Sequence, residues 1–188
     1  FINIMKPSKK ENGSLPVMVW FHGGGYNFGN GDGLYITDRF AKRDVILVTM
    51  NYRLGPFGFF AHPLLSEVSK MGVSGNYGTL DQIQALKWVQ TNIHLFGGDP
   101  DNVTIFGESA GGASVETLVA TKLAKDLFHR AIAQSGYTVG RARNINEQRG
   151  DLISAESLGE KFFRSISEIE NPSIEDIKNL PADLFFET

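Results

Sequence analysis

The sequence has no cysteine among its 188 residues. Thiol catalysis, disulfides and cysteine-ligated metals are therefore excluded within these residues. It also has no long apolar run: none approaches the ~20 residues that a membrane-spanning helix needs, so no transmembrane segment is expected. A basic excess is missing too. With 18 Lys and Arg against 21 Asp and Glu, the net charge is −3, which argues against nucleic acid or an anionic membrane surface as the main partner. There is no internal repeat and no low-complexity tract. The acids Asp38, Asp81 and Asp99 lack the paired spacing and histidine company of a metal site, so no metal and no cofactor is assigned. No methionine and no signal peptide opens the chain. "FINIM" already reads as the inside of an apolar strand, and "PADLFFET" stops at a helix-like segment without a terminating turn. The expectation is the N-terminal part of a longer fold, with no compartment and no oligomeric state assigned.

What is present is ordinary globular material, 41% hydrophobic and 21% charged, long enough for one domain with a real core. After a polar turn at 6–16, the runs "VMVWF" (17–21), "DVILVTM" (44–50), "VTIF" (103–106) and "RAIAQ" (130–134) are short and continuously apolar. Such strands are buried on both faces, the mark of a parallel sheet covered by helices. Helices are expected at 34–43, 79–93 and 110–124. The second of these shows an apolar stripe through Leu80, Ile83, Leu86, Val89 and Ile93 and a capping box of Thr79 with Gln82. "GGDPD" (97–101) reads as a turn. The alternation of strand and helix gives an α/β class with a doubly wound, mostly parallel sheet over residues 1–140. A helical tail follows over 141–188, with helices at 152–163 and 173–180 and a capping signal at Ser173 and Asp176.

Two glycine-rich stretches carry the chemistry. "GESAG" (107–111) places Ser109 between a strand and a helix, the setting of a nucleophile elbow. Small residues at 107, 110, 111 and 112 suit a turn where backbones crowd. The pentapeptide alone also fits a Gly/Ser-rich turn with no chemistry. "HGGGY" (22–26) follows strand 17–21 and offers backbone N–H groups free of side-chain cover. Acyl transfer needs such donors around the oxyanion of the tetrahedral intermediate. A phosphate-binding loop would end in Lys-Ser/Thr, whereas here Tyr-Asn follows. Both stretches fall at the C-terminal ends of parallel strands, the sheet edge where open α/β folds bind ligands.

Together with "PVMVWFHGGGY", "NYRLGPFGFF", "GNYGTLDQIQALKWVQTNI", "FGGDPDNVTIFGESAGGASV" and "LFHRAIAQSG", these residues resemble the type-B carboxylesterase/lipase family of α/β-hydrolases, which includes the cholinesterases. The match runs in family order to about Gly136 and is looser beyond. The resemblance implies an incomplete α/β-hydrolase fold and a serine hydrolase that cleaves small-molecule carboxylic esters through an acyl-enzyme on Ser109. By the same resemblance, the backbone N–H groups of Gly24, Gly25 and Ala110 form the oxyanion hole. Glu108 is the acidic residue near the site floor, His22 orients the glycine loop, and Arg53 is a structural ion-pair residue. The alternative that stays open is a non-catalytic, cholinesterase-like binding or adhesion module.

A nucleophilic serine needs a base, and there are only four histidines. His129 precedes strand 130–134 and His94 precedes strand 103–106. Both therefore lie on the sheet edge opposite Ser109, about 16 Å away for a strand of about five residues. His62 sits in a loop, and His22 has its other role. The resemblance places the triad acid and histidine downstream of Thr188, so residues 1–188 alone are expected to be a poor catalyst. Asn12-Gly13-Ser14 and Asn102-Val103-Thr104 match the glycosylation acceptor by chance, and Phe57, Phe59 and Phe60 suit a core better than a substrate pocket.

Overall fold

The computed structural model describes residues 1–8, 14–137 and 143–185. Along the chain come strands β1 (Ile2–Met5), β2 (Leu15–Phe21) and β3 (Ile46–Met50), then helices α1 (Gly55–Phe59), α2 (Pro63–Val68) and α3 (Tyr77–Asn92). Strand β4 (Gly98–Glu108), helix α4 (Ala110–Ala120), strand β5 (Arg130–Gln134) and helices α5 (Ala155–Ser167) and α6 (Ile174–Lys178) complete the order. The chain forms two compact units, one of residues 1–54 and 78–140, the other of 55–77 and 141–188. No helix among the described residues is long and apolar enough to cross a membrane.

The first unit holds a five-stranded sheet in the order β1-β3-β2-β4-β5. Strands β3, β2, β4 and β5 are parallel, and β1 is antiparallel to β3. The apolar runs explain this. Val17, Val19 and Phe21 of β2, Ile46 and Val48 of β3, and Val103 and Ile105 of β4 are wholly buried. They pack against Ile83, Leu86 and Val89 of α3 and Val115 and Leu118 of α4. Each such side chain contributes about 1.5–3 kcal/mol by leaving water. The opposite face is covered by the segment 28–43, which lays Tyr35 on Trp20 (ring centroids 5.1 Å apart) and Phe40 on Phe106 (5.8 Å).

The topology fixes where a ligand can go. From β2 the chain moves to β3 on one side, and from β4 it moves to β5 on the other. The crevice between the C-terminal ends of β2 and β4 is thus the switch point of the sheet. There Phe21 pairs with Gly107, so the glycine loop after β2 and the turn after β4 emerge side by side.

Four expectations need correction. The helix at 34–43 is absent. Two 3-10 turns, Gly33–Tyr35 and Ala41–Arg43, replace it, because Tyr35 and Phe40 pack their rings against Trp20 and Phe106 and Asp44 turns left-handed at φ 58°. "GGDPD" is strand, since β4 already begins at Gly98, with a register shift opposite Leu15 and Val17. Thr79 and Gln82 form no capping box, because α3 starts at Tyr77 and the Gln82 side chain points inward to Ser114. β5 is exposed along its whole length. It is an edge strand paired only with β4 among the described residues, so its two faces are not both covered.

In the second unit, α5 runs against Ala61. Gly159 permits this, since a Cβ there would meet the Ala61 carbonyl. Phe60, Phe162 and Phe185 pack ring against ring at 6.0–6.4 Å, with Phe57 on Phe185 at 5.1 Å. These aromatics form a cluster of that unit. Ser173 and Asp176 make the expected capping box of α6.

Candidate active site

Ser109 sits between β4 and α4 with φ 55° and ψ −119°, a backbone conformation that a non-glycine residue adopts only under constraint. The constraints are visible. The Ser109 N–H donates to the Gln134 carbonyl (2.9 Å), and its own carbonyl accepts from Ala113 N–H (2.9 Å) as α4 begins. A Cβ on Gly107 would lie 2.5 Å from the Gly111 carbonyl, and one on Gly112 would lie 2.5 Å from the Gln134 oxygen. Only glycine fits these positions, so β2, β4, β5 and α4 converge on one tight turn. The result is an exposed serine at a helix N-terminus, where the peptide dipoles favour negative charge.

The glycine loop abuts this turn. A Cβ on Gly23 would be 3.3 Å from Ser109 Cβ and 3.2 Å from the Glu108 carboxylate. Gly24 and Gly25 take φ 112° and 62°, and the Gly24 carbonyl accepts from Asn27 and Phe28 N–H. Among the described residues no hydrogen bond engages the N–H groups of Gly24, Gly25 or Ala110. Two of these donors follow Gly23, which abuts the exposed serine, and the third belongs to the residue after that serine.

His22 is 1% exposed and stacks on Tyr52, with ring centroids 4.3 Å apart. Its Nδ1 lies 2.8 Å from the Gly23 carbonyl, which can only accept, so Nδ1 carries the proton. Nε2 is buried and without a partner among the described residues. Burial pulls the imidazole below its ordinary pKa, and the Gly23 hydrogen bond opposes that shift. The Tyr52 hydroxyl donates to the His22 carbonyl (2.7 Å). This is the environment of a residue that shapes the loop.

The other histidines lie away from Ser109 or serve other ends. His129 N–H donates to Val103 O (2.8 Å), and its Nδ1 accepts from Val103 N–H (3.2 Å). Val103 lies midway along β4, six residues before Ser109, or about 20 Å at ~3.3 Å per residue. His94 lies in the 3-10 turn before β4, next to Gly97, whose carbonyl accepts from Leu15 N–H at the start of β2. In the second unit, His62 caps α2 through a hydrogen bond from Leu64 N–H. No histidine hydrogen-bonds Ser109 among the described residues.

The remaining residues singled out by sequence have structural settings. Arg53 grips Asp81 at the start of α3 through Nε (2.8 Å) and Nη2 (2.7 Å). Burial alone would raise the Asp81 carboxyl, but the Arg53 hydrogen bonds and charge prevail and hold it low. Asp38 pairs with Lys42 at 2.7 Å, and Asp99 accepts from Asp101 N–H. Asn102 accepts from Arg130 at 2.6 Å, while Asn12 and Gly13 fall outside the described residues. Sequence reading missed Tyr52 and Ser114 and gave Gln82 only a capping role; all three are polar residues behind the site. A polar Gln82 inside an apolar helical stripe was the available signal.

Comparison with known proteins gives a consistent answer. The carboxylesterase family model matches residues 1–162. The fumonisin B1 esterase of Sphingopyxis macrogoltabida is 49% identical over 136 residues, which is 72% of this chain and 25% of that protein. The para-nitrobenzyl esterase of Bacillus subtilis (strain 168) is 51% identical over 160 residues, 84% of this chain and 31% of that protein. A solved PNB esterase structure aligns with TM-score 0.83 and 41% identity, covering 98% of this chain and 37% of its own. A Geobacillus stearothermophilus carboxylesterase gives 0.84 and 39%, with the chain again covering 37% of it. The chain thus spans 25–31% of the length of the two curated relatives, and its sheet and helices are a partial α/β-hydrolase fold. This chain belongs to the carboxylesterase family.

Proposed function

We propose that residues 1–188 are the N-terminal part of a single hydrolase domain and that Ser109 is the nucleophile of a carboxylic ester hydrolase. The Ser109 Oγ attacks the ester carbonyl, and a histidine supplied from outside these residues takes its proton. The charge that develops on the carbonyl oxygen rests on the N–H groups of Gly24, Gly25 and Ala110. The alcohol then leaves with a proton, and water hydrolyses the acyl-enzyme to the carboxylic acid. One observation carries the reading. Ser109 is held in a strained, exposed turn directly against a loop with unengaged backbone donors. Donors already in place need no rearrangement as charge develops, and each is worth about 3–4 kcal/mol of transition-state stabilisation.

Glu108 carries its carboxylate beside Gly23 on the floor of the same turn. The substrate is a small-molecule ester, and the family relation supports that class. The absence of a histidine partner for Ser109 among the described residues is the one point in favour of a non-catalytic binding module. A single experiment separates the readings. In the full-length protein, Ser109→Ala should lower turnover of p-nitrophenyl acetate by on the order of 10⁵-fold or more. Unchanged turnover would overturn the assignment.

A further inference from the structure

We infer that the hydrogen-bonded chain Gln82–Ser114–Tyr26, buried at Gln82 and Ser114, is a brace that positions the glycine loop against the helix bearing the nucleophile. The inference rests on the roles proposed for Ser109 and its backbone donors. Ser114 lies one turn into α4 and is 2% exposed, and Gln82 of α3 is wholly buried. The Ser114 Oγ is 2.9 Å from the Ala110 carbonyl, 2.9 Å from Gln82 Nε2 and 3.3 Å from the Tyr26 hydroxyl. A serine hydroxyl has one proton and two lone pairs. The Ala110 carbonyl can only accept, so it takes the proton. The Gln82 Nε2 group can only donate, so it fills one lone pair. The second lone pair is left for the Tyr26 O–H.

This wiring joins two segments 88 positions apart in sequence. Ser114 holds the carbonyl of Ala110, whose N–H is one of the proposed donors. It also faces Tyr26, which directly follows the two glycines that supply the others. At the other end of the loop, Tyr52 holds the His22 carbonyl at 2.7 Å. Gly24 and Gly25 therefore lie between two buried hydroxyl anchors. Tyr26 itself takes φ 63°, a left-handed conformation that a bulky residue keeps only when its surroundings impose it. Burial raises the Tyr26 pKa, so the phenol stays protonated and able to donate.

Packing alone does not explain the brace. Gln82 occupies an apolar stripe with Ile83 and Leu86, and its Oε1 has no partner among the described residues. An aliphatic side chain would bury there at lower cost. The hydrogen bond that the buried amide makes among the described residues goes to the Ser114 hydroxyl and fixes it.

The test uses the full-length protein and Tyr26→Phe, which keeps the ring and removes only the hydroxyl. With p-nitrophenyl acetate, kcat should fall about 10-fold, a fraction of the 10²–10³-fold cost of deleting a donor outright. KM should stay within about twofold, because the donors act on the transition state. Affinity for a trifluoromethyl ketone, which forms a tetrahedral oxyanion adduct with the serine, should fall by the same factor as kcat/KM. Adding Tyr26→Phe to Ser114→Ala should cost little more than Ser114→Ala alone, since both cut one chain. If Tyr26→Phe leaves kcat/KM and ketone affinity within about twofold of wild type, the brace is refuted whether or not the Ser114 variant folds. A ketone affinity that does not track kcat/KM refutes it as well. Wild-type turnover that survives Ser109→Ala removes the site reading first, so the two failures are distinguishable.

Discussion

The two glycine-rich turns at the switch point are built on different principles. The elbow around Ser109 is crowded by other elements. Side chains at Gly107, Gly111 or Gly112 would strike the backbone of Phe21, Gly111, Gln134 or Gly136. Its shape is therefore dictated by the sheet. In the loop 22–26, Gly23 is crowded by Glu108 and Ser109 of the elbow and Gly24 by Phe28 of its own turn, while Gly25 has open space around it. The loop's shape depends on a few buried polar groups. The difference teaches where the site is robust and where it is adjustable. Ser109 is held by packed backbone, whereas Gly24 and Gly25 lie between hydrogen bonds made by Tyr52 and Ser114.

Substitutions can break that comparison. The largest effect should come from Gly111→Ala, whose new methyl meets the Phe21 and His22 carbonyls with no side chain able to give way. We expect a loss of more than about 4 kcal/mol, seen as insoluble protein or a collapsed denaturation midpoint. Gly24→Ala puts its methyl against the Phe28 carbonyl at φ 112°, so it should cost stability as well as chemistry, with the clash confined to the loop's own turn. In the full-length variant the denaturation midpoint should fall, and kcat of the folded fraction should drop about 100-fold as the donor moves. Gly25→Ala meets no neighbour within 4 Å, so its cost should be the left-handed backbone penalty of about 1–2 kcal/mol in denaturant titration. If Gly24→Ala and Gly25→Ala behave alike, the loop is not organised as described.

A smaller effect concerns pH. His22 is buried neutral, and burial lowers its pKa below the unfolded value. The unfolded state therefore takes up a proton first as pH falls. The stability contribution is complete above about pH 6.5 and declines as pH drops from there toward the folded pKa. Wild type should lose stability over that range, and His22→Gln should flatten the curve there. An unchanged slope would show that His22 is not held neutral.

Much of this fold was legible in sequence because its core strands are continuously apolar. Val17 to Phe21 and Ile46 to Met50 have little alternative to burial between helices. Ser109 and the glycine loop were legible because strand, turn and helix signals met at one point. Other features depended on tertiary partners. The segment 34–43 has helix-like spacing, yet Trp20 and Phe106 draw Tyr35 and Phe40 onto the sheet and override it. Gln82 matches a cap pattern, but its amide serves Ser114, 32 positions away. β5 is apolar yet exposed, because β4 is its single pairing partner among the described residues.

The central claim is that the strained turn presents Ser109 as an activated nucleophile. Treatment of the full-length protein with a fluorophosphonate, followed by intact-mass and peptide mapping, tests it most directly. The account predicts one adduct per chain, on Ser109, with p-nitrophenyl acetate hydrolysis lost in step. An adduct on another residue, or hydrolysis that persists with Ser109 unmodified, would contradict it.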